Sequence, residues 1–282
     1  MTPARRQPYS FIRHLAWSVW LNHDPKRCIV TIFTAYYDAS GSEDDKDGVL
    51  VVVGLIANEY KWVRFEREWH AALEKFDVPY FHMKELGKDR KAGTGVYAKW
   101  KDDDVTPRLF VRRLLKVIRR QTNKMFCYGT ILKDFRGVDE TYRLHEEVGS
   151  PYVLTTASCY DLVNKWGRVN YPKDRGIHIL EDGDCGQRDF LKLAKRMGQK
   201  PFTLPKINKE TGEWFIPFQG ADLIAGAYRH AANRRGTVRT FEDYGEVFTD
   251  IANKLAQKSL IYDRRTLVAM CKAQPDKFPK RV

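Results

Sequence analysis

Two hydrophobic periods alternate along the chain and predict an alternation of strands and helices. Apolar and aromatic residues run almost unbroken over 29–38 and again over 49–57, where both faces are apolar, as in a strand covered on both sides. Helical spacing of Trp62, Phe65 and Trp69 follows directly. The same patterns predict further strands at 125–132 and 176–181, an extended segment at 201–207, and helices at 59–76, 105–121, 151–168, 187–197 and 218–235, the last ended by Gly236.

The order of these elements indicates an α/β fold with a mixed sheet. The segment "VPYFHMKEL" predicts a short extended piece that runs into a polar loop at 87–104, and one or two helices are expected within 245–272. No repeat or linker is visible, so we expect one main domain.

The charge of the chain points to a polyanionic partner. Lys and Arg number 49 against 36 Asp and Glu, which leaves a formal net charge of +13. Such an excess is typical of proteins that bind nucleic acid, although it also occurs in proteins that are merely soluble and basic. No apolar run approaches the roughly 20 residues of a membrane helix, and the five cysteines form no CxxC pair, so a cytoplasmic protein without a membrane partner is expected.

One predicted helix carries much of this positive charge on one face. The apolar face of 105–121 contains Phe110 and Leu114, and six Lys or Arg occur in the thirteen residues from Arg108 to Arg120. A basic face is often only solvated, but this density favours contact with a phosphate backbone. The residues proposed to contact nucleic acid are Arg112, Lys116, Arg119, Arg120 and Arg229, with Arg234 and Arg235 nearby.

Carboxylates occur at or beside the ends of predicted strands, where an α/β sheet opens onto its ligand crevice. Asp38 ends the first strand in "YYDASGS", Glu181 and Asp182 end the fourth in "HILEDGDCGQ", and Asp222 lies at the start of a helix in "QGADLIAG". Structural roles compete with this interpretation: Asp38 suits a turn, Asp184 suits the cap of the following helix, and Asp222 suits a helix N-terminus.

Carboxylates that converge from separate elements are the usual ligands of Mg²⁺ or Mn²⁺. Two such ions about 4 Å apart stabilise the attacking and the leaving oxygen of a phosphodiester. The sequence has neither a phosphate-binding GxxxxGK[ST] loop nor a GxSxG nucleophile elbow. The expected activity is therefore cleavage of DNA or RNA by a metal-activated water, and a hydrolase of small phosphates is a weaker alternative.

An ordered set of motifs between about residues 35 and 233 resembles a known family. The motifs are "YYDASGS", "VLVVVGLIANEYKWVRFEREW", "PYFHMKEL", "PYVLTTASCYDLVNKW", "HILEDGDCGQ" and "FQGADLIAGAYR". Together they are similar to the family of domain of unknown function 3800, whose members have a ribonuclease H-like fold. The resemblance implies a five-stranded mixed sheet in which the first and fourth strands are parallel neighbours.

The resemblance also implies a division of the chain and a set of site residues. It places a ribonuclease H-like domain at 29–240 with a helical insertion at 58–123, between a basic amphipathic extension at 1–28 and a helical extension at 241–282. In such a sheet, Asp38 and Glu181 would stand together, and Asp222 would reach in from the last core helix. His82 and Glu85 also match the family pattern, and His82 is either a general acid or base or a core histidine.

One departure from the family pattern leaves a second function open. Members commonly have a second acid after the first-strand Asp, where this chain has Ala39. This supports a module that binds nucleic acid or a partner without catalysis. Asp161 is a candidate fourth acid or a plain surface residue, and Asp182 is a ligand only if the strand ends at Glu181.

Overall fold

The computed structural model describes residues 33–172, 176–209, 211–235 and 260–280, without the side chains of 234 and 235. Within these ranges, six strands form one mixed sheet in the order β5-β4-β1-β2-β3-β6. Their bounds are β1 (Phe33–Ser40), β2 (Val49–Asn58), β3 (Lys124–Ile131), β4 (Ile177–Glu181), β5 (Phe202–Leu204) and β6 (Leu260–Tyr262). The fold is therefore α/β, as the order of elements predicts.

The direction of the strands decides which residues meet at the edge of the sheet. β1 pairs antiparallel with β2, which pairs antiparallel with β3. β4 lies parallel to β1 on its other side, and β5 lies parallel to β4. This confirms that the first and fourth strands are parallel neighbours, so their carboxyl ends meet at the same edge.

Helices cover both faces of the sheet. The α-helices within the described ranges are α1 (Glu59–Lys75), α2 (Met83–Ala92), α3 (Val105–Gln121), α4 (Leu132–Tyr142), α5 (Leu144–Val148), α6 (Pro151–Asn170), α7 (Gln187–Arg196), α8 (Ile216–Arg235) and α9 (Arg264–Ala273). A short 3-10 helix, Ala98–Trp100, lies between α2 and α3. The bounds of α3 agree with those predicted. The N-terminus of α6 follows from its sequence, because Pro151 occupies the first turn and the Ser150 side chain accepts a hydrogen bond from Val153 N.

Alternation along the strands separates two hydrophobic cores. Val51 and Val53 pack with α1, α3 and α8 on one face, which we call the α8 face. Leu50 and Val52 pack with α6 and α7 on the other, which we call the α6 face. β2 is buried on both faces, as its uninterrupted apolar run predicts. A smaller cluster joins α4 to α9.

Three parts of the fold differ from the sequence prediction. The sheet has a sixth strand, β6, which pairs with β3. The sequence does not predict it, because three residues are too few to show a period. α2 replaces only the end of the predicted extended piece and the first part of the predicted loop. The sequence does not predict this helix, because only Leu86 and Asp89 of it are buried, so that it has no apolar period. α4 and α5 are absent from the sequence prediction, although Leu132, Phe135 and Val138 have helical spacing. The predictions for 1–28, 29–32 and 241–259 lie outside the described residues.

Candidate active site

Two of the predicted acids lie side by side on the α8 face. Tyr37 of β1 is paired with Leu180 of β4, so the next residue of each strand, Asp38 and Glu181, stand together at the carboxyl ends. Tyr36 and Ile179 belong to the α8-face core, and alternation sends Asp38 and Glu181 to that same face. Asp38 is only 2% exposed. The parallel pairing brings together carboxylates that are separated by more than half of the chain.

Asp222 approaches the same place from α8, which packs across β1 and β2. The helix begins at Ile216, so Asp222 is its seventh residue and not part of its first turn. The alternative role at a helix N-terminus is therefore wrong. Instead, Oδ2 of the buried Asp222 accepts a hydrogen bond of 2.7 Å from Met83 N at the start of α2. This bond ties the helical segment between β2 and β3 to the site.

The same helix fixes the segment that leads into α2. Gln219 is fully buried, and its Oε1 accepts hydrogen bonds from Trp69 Nε1 at 3.0 Å and from Phe81 N at 2.7 Å. Phe81 lies two residues before Met83. Gln219 and Asp222 therefore hold the 81–83 backbone at two successive points.

A lysine that the sequence analysis did not identify lies against the acids. Glu181 is paired with Leu204 in β5, and Lys206 follows two residues later on the same face. Its Nζ lies 3.2 Å from Oε2 of Glu181 and 3.9 Å from Oδ2 of Asp38. No motif marks Lys206 among the many lysines of this basic chain, so only the packing of β5 against β4 reveals it.

Burial and mutual repulsion govern the protonation of the acids. Burial raises the pKa of Asp38 well above its ordinary value; Lys206 opposes this rise, and Glu181 and Asp222 add to it. Burial likewise raises the pKa of Asp222, although the charge of Lys206 and the hydrogen bond from Met83 N both act to lower it. Burial alone would lower the pKa of Lys206, but the surrounding carboxylates outweigh it and raise that pKa. Without a further cation, the site therefore favours a charged lysine and a protonated Asp38.

The remaining acids of the 181–184 segment have different surroundings. Gly186, whose φ is 86°, precedes α7 with no side-chain cap, so the predicted capping role of Asp184 is wrong. Its Oδ2 instead accepts a hydrogen bond of 3.2 Å from Tyr152 OH. Burial, followed by the charge of Glu181, raises the pKa of Asp184 to about 7. Asp182 is exposed, and its N donates to Leu204 O at 2.8 Å, which continues the β4–β5 pairing.

The candidate fourth acid, Asp161, lies elsewhere. It is on an exposed part of α6, where its carboxylate pairs with Lys165 Nζ at 2.6 Å. Its charge contributes to the raised pKa values of Tyr128 and Tyr262, which are on the β3–β6 side of the sheet. Asp184 is the additional acid that the structure places beside Glu181.

His82 and Glu85 form a pair at the border of the site. His82 immediately precedes α2, and its Nδ1 lies 3.0 Å from Oε1 of Glu85. Tyr80 OH donates to Oε2 of the same carboxylate at 2.6 Å. Burial would raise the pKa of Glu85, but the hydrogen bonds from Tyr80 and His82 outweigh it and lower that pKa. His82 is half-buried and close enough to Asp222 to affect the pKa of that acid, so it is not a core histidine.

The predicted nucleic-acid contacts divide into two groups. Arg112, Lys116 and Arg120 are exposed on α3, and Arg119 is half-buried. The end of α3 lies beside the end of β2, where Asn123 N donates to Ile56 O at 2.7 Å. Ile56 pairs with Ala35 near the start of β1, so the Arg119–Arg120 end of the helix points away from the acids.

Arg229 is the basic candidate that the structure places at the end of the sheet that carries the acids. It lies two turns beyond Asp222 on α8 and pairs with Asp45 of the β1–β2 loop at 3.2 Å. The loop leaves β1 through Gly41, whose φ of 114° and close approach to Val49 O leave no room for a side chain.

The chemistry of the donors fits a divalent cation. Asp38 Oδ2 and Glu181 Oε2 are buried oxygens that accept no hydrogen bond from the described part of the chain. Such unpartnered carboxylate oxygens are the hard ligands that Mg²⁺ and Mn²⁺ take. As the side chains are arranged, however, no three His, Cys, Asp or Glu residues within the described ranges form a group able to hold a metal.

Ala39 lies on the opposite face of the sheet from Asp38. Its methyl group packs against the α6-face core, as alternation along β1 requires. An acid at this position would therefore point away from Glu181 and Asp222.

Comparisons with known proteins give little further information. No protein-family model matches the chain, and no curated protein matches it. A crystal structure of a mutant of Bst-RNase HIII is similar with a TM-score of 0.38 and 14% sequence identity, over 93% of this chain and 68% of that protein. Among the described residues, no helix is both long and apolar enough to cross a membrane.

Proposed function

We propose that the chain is a divalent-metal-dependent nuclease with a ribonuclease H-like fold. The observation that carries the proposal is the convergence of Asp38, Glu181 and Asp222 at the carboxyl ends of parallel strands, with a buried Asp38 oxygen that accepts no hydrogen bond from the described residues. The parallel pairing of the first and fourth strands supports the ribonuclease H-like fold. The ordered motifs shared with the family of domain of unknown function 3800 support it as well.

The three carboxylates would hold Mg²⁺ or Mn²⁺. When bound, such an ion supplies Lewis acidity to a phosphodiester and lowers the pKa of a water ligand. The exposed Asp182 would not join Glu181 in holding the ion. Its N–H continues the β4–β5 pairing, and neighbouring residues of a continuing strand direct their side chains to opposite faces. His82, oriented by Glu85, is placed to exchange a proton with a substrate oxygen at the border of the site.

Basic residues would position the polyanion around this centre. Arg229 lies at the same end of the sheet as the acids, where it would contact a phosphate close to the cleaved bond. Arg112, Lys116 and Arg120 form an exposed row on α3, which packs on the same face of the sheet as α8. They would contact the phosphate backbone several nucleotides away, in a salt-dependent manner.

The test compares cleavage by two matched Asp→Asn variants. Labelled single-stranded DNA, duplex DNA, RNA and an RNA–DNA hybrid are incubated with Mg²⁺, Mn²⁺ or EDTA. We expect metal-dependent cleavage by the wild type and by Asp161→Asn, a surface control, and a loss of at least about a hundredfold in Asp38→Asn, since a metal-site carboxylate is removed. Equal cleavage by both variants, or no cleavage of any substrate with either metal, would contradict the proposal.

The alternative is a module that binds nucleic acid or a partner protein without catalysis. The ammonium of Lys206 favours it, because this group already neutralises part of the acidic cluster without a metal. Binding would then be salt-sensitive, unaffected by EDTA, and unchanged or tighter in Asp38→Asn. Fluorescence anisotropy with the same nucleic acids, in the presence and absence of EDTA, separates the two functions.

A further inference from the structure

Two aromatic side chains beside the site belong to none of the hydrophobic cores. Tyr80 and Trp214 are both half-buried, and neither is part of, or packs against, the three hydrophobic clusters of the described residues. Their rings stack on each other instead, with centroids 4.0 Å apart and planes inclined by 13°. A partly exposed Trp ring that lies outside every core is more typical of a binding surface than of a protein interior.

A hairpin connects this aromatic pair to the acids on one side. After β5 the chain turns back so that Ile207 bridges Trp214, and Phe215 N donates a hydrogen bond of 3.0 Å to Lys206 O. Lys206 Nζ lies 3.2 Å from Glu181 Oε2. Trp214 is therefore in the hairpin pair next to that of the lysine that contacts Glu181.

The backbone that leads into α2 holds the pair on the other side. Tyr80 O accepts a hydrogen bond of 2.8 Å from Tyr97 OH, which itself accepts one of 3.1 Å from His82 N. The centroid of the His82 ring is 5.8 Å from that of Trp214. Both stacked rings are thus carried by backbone that is fixed before a ligand binds, which lowers the entropic cost of binding.

Stacked aromatic rings at a nucleic-acid site favour unpaired bases. Proteins bind single strands by stacking successive bases on aromatic side chains, and every base has a ring face for this contact. In a duplex, the neighbouring base pairs cover those faces, and unstacking them costs free energy. A base stacked on the pair would direct its phosphate towards Lys206 and His82, which border the acids.

We propose that Trp214 and Tyr80 form a stacking platform for an unpaired nucleobase next to the cleaved phosphodiester, so that the substrate is a single strand of DNA or RNA. This inference rests on the proposed function and specifies its substrate class. The platform recognises the ring of the base, whereas the basic residues recognise phosphate in single strands and duplexes alike.

The experiment measures binding of labelled strands to the full-length chain by fluorescence anisotropy, in EDTA at low salt. The probes are single-stranded DNA and RNA of one length, the corresponding duplexes, and an abasic strand of the same length. Trp214→Leu should bind base-bearing single strands about tenfold more weakly than the wild type does, and should bind duplexes and the abasic strand within about twofold. Trp214→Phe, which keeps an aromatic ring, should retain most of the affinity for single strands.

Tyr60→Leu is the matched control for loss of an aromatic side chain away from the site. Tyr60 is 67% exposed, and it lies just after Asn58, which pairs with Phe33 at the opposite end of β1 from Asp38. This substitution should leave the affinity for every probe unchanged. Circular dichroism confirms that each variant is folded before binding is measured.

Different outcomes separate this inference from the proposed function. A loss confined to base-bearing single strands, whether DNA, RNA or both, would support the inference even if no nucleic acid is cleaved. An equal or greater loss for duplexes or the abasic strand, which a purely structural role of Trp214 predicts, would overturn it even if cleavage is metal-dependent. No loss for any probe would overturn it in the same way. No binding of any nucleic acid by the wild type would overturn both.

Discussion

Replacing Asp184 with Asn should stabilise the metal-free protein at neutral and alkaline pH. Asp184 is half-buried beside Glu181, and burial, followed by the charge of Glu181, raises its pKa from 3.8 to about 7. The native state therefore holds its proton more tightly than the unfolded state does. Asp184 has no effect on the free energy of unfolding below about pH 4, where it is protonated in both states. Its presence lowers that free energy increasingly as the pH rises towards 7, where the carboxyl ionises in the native state.

The size of the effect follows from the rise in pKa. At about 1.4 kcal/mol per pKa unit, the full cost of ionising Asp184 in the native state is about 4 kcal/mol above pH 7. Because part of this cost is already present at pH 5, the free energy of unfolding falls by about 2 to 3 kcal/mol between pH 5 and pH 8 as a result of Asp184 alone. Asn cannot ionise, but its amide oxygen can still accept the hydrogen bond from Tyr152 OH.

Urea denaturation in EDTA at pH 5 and pH 8 measures the effect. The free energy of unfolding of Asp184→Asn, relative to the wild type, should be about 2 to 3 kcal/mol greater at pH 8 than at pH 5. The gain should shrink in a Glu181→Gln background, because one cause of the raised pKa is removed. If Asp184→Asn differed from the wild type in free energy of unfolding by the same amount at both pH values, the reasoning would be refuted. Asp161→Asn, which changes an exposed carboxylate, is the control and should show no such difference between the two pH values.

Three further predictions concern the scaffold, the opposite face and the basic residues. Gln219→Leu should lower the free energy of unfolding by roughly 2 to 5 kcal/mol in chemical denaturation, because it leaves the Trp69 indole N–H and a backbone N–H buried without an acceptor; unchanged stability would contradict this. Ala39→Asp should destabilise the fold by about 1 to 3 kcal/mol without increasing the Mn²⁺ stoichiometry, because the side chain faces the α6-face core; an additional bound ion would show that this position reaches the site. Arg229→Ala should reduce cleavage more than Arg120→Ala does, whereas both should reduce the salt dependence of nucleic-acid binding; equal loss of cleavage in the two variants would show that distance from the acids is unimportant.

Local periodicity was sufficient to predict most of the elements. The bounds of α3, the two-faced burial of β2 and the beginning of α6 at Pro151 all follow from residues close together in sequence. Glu181 ends β4 as predicted, whereas β1 continues two residues beyond Asp38 to Ser40. Both acids are still visible in the sequence, because an apolar run that stops at an acid is a local pattern. α2 and β6 gave no such pattern, since one is largely polar and the other is too short.

The surroundings of the site depended on contacts between residues that are far apart in sequence. Parallel pairing of β1 with β4 brings Asp38 to Glu181, and packing of β5 against β4 adds Lys206. The hydrogen bond from Met83 N to Asp222 joins residues 139 positions apart.

The acids were thus predictable from the sequence by itself, because their position at strand ends is a local property. Their positive partner and their altered pKa values were not, because burial and Coulomb interactions depend on distances that only the folded chain sets. The sequence determined that acids follow its apolar runs, and the tertiary structure decided that Lys206 would lie against them.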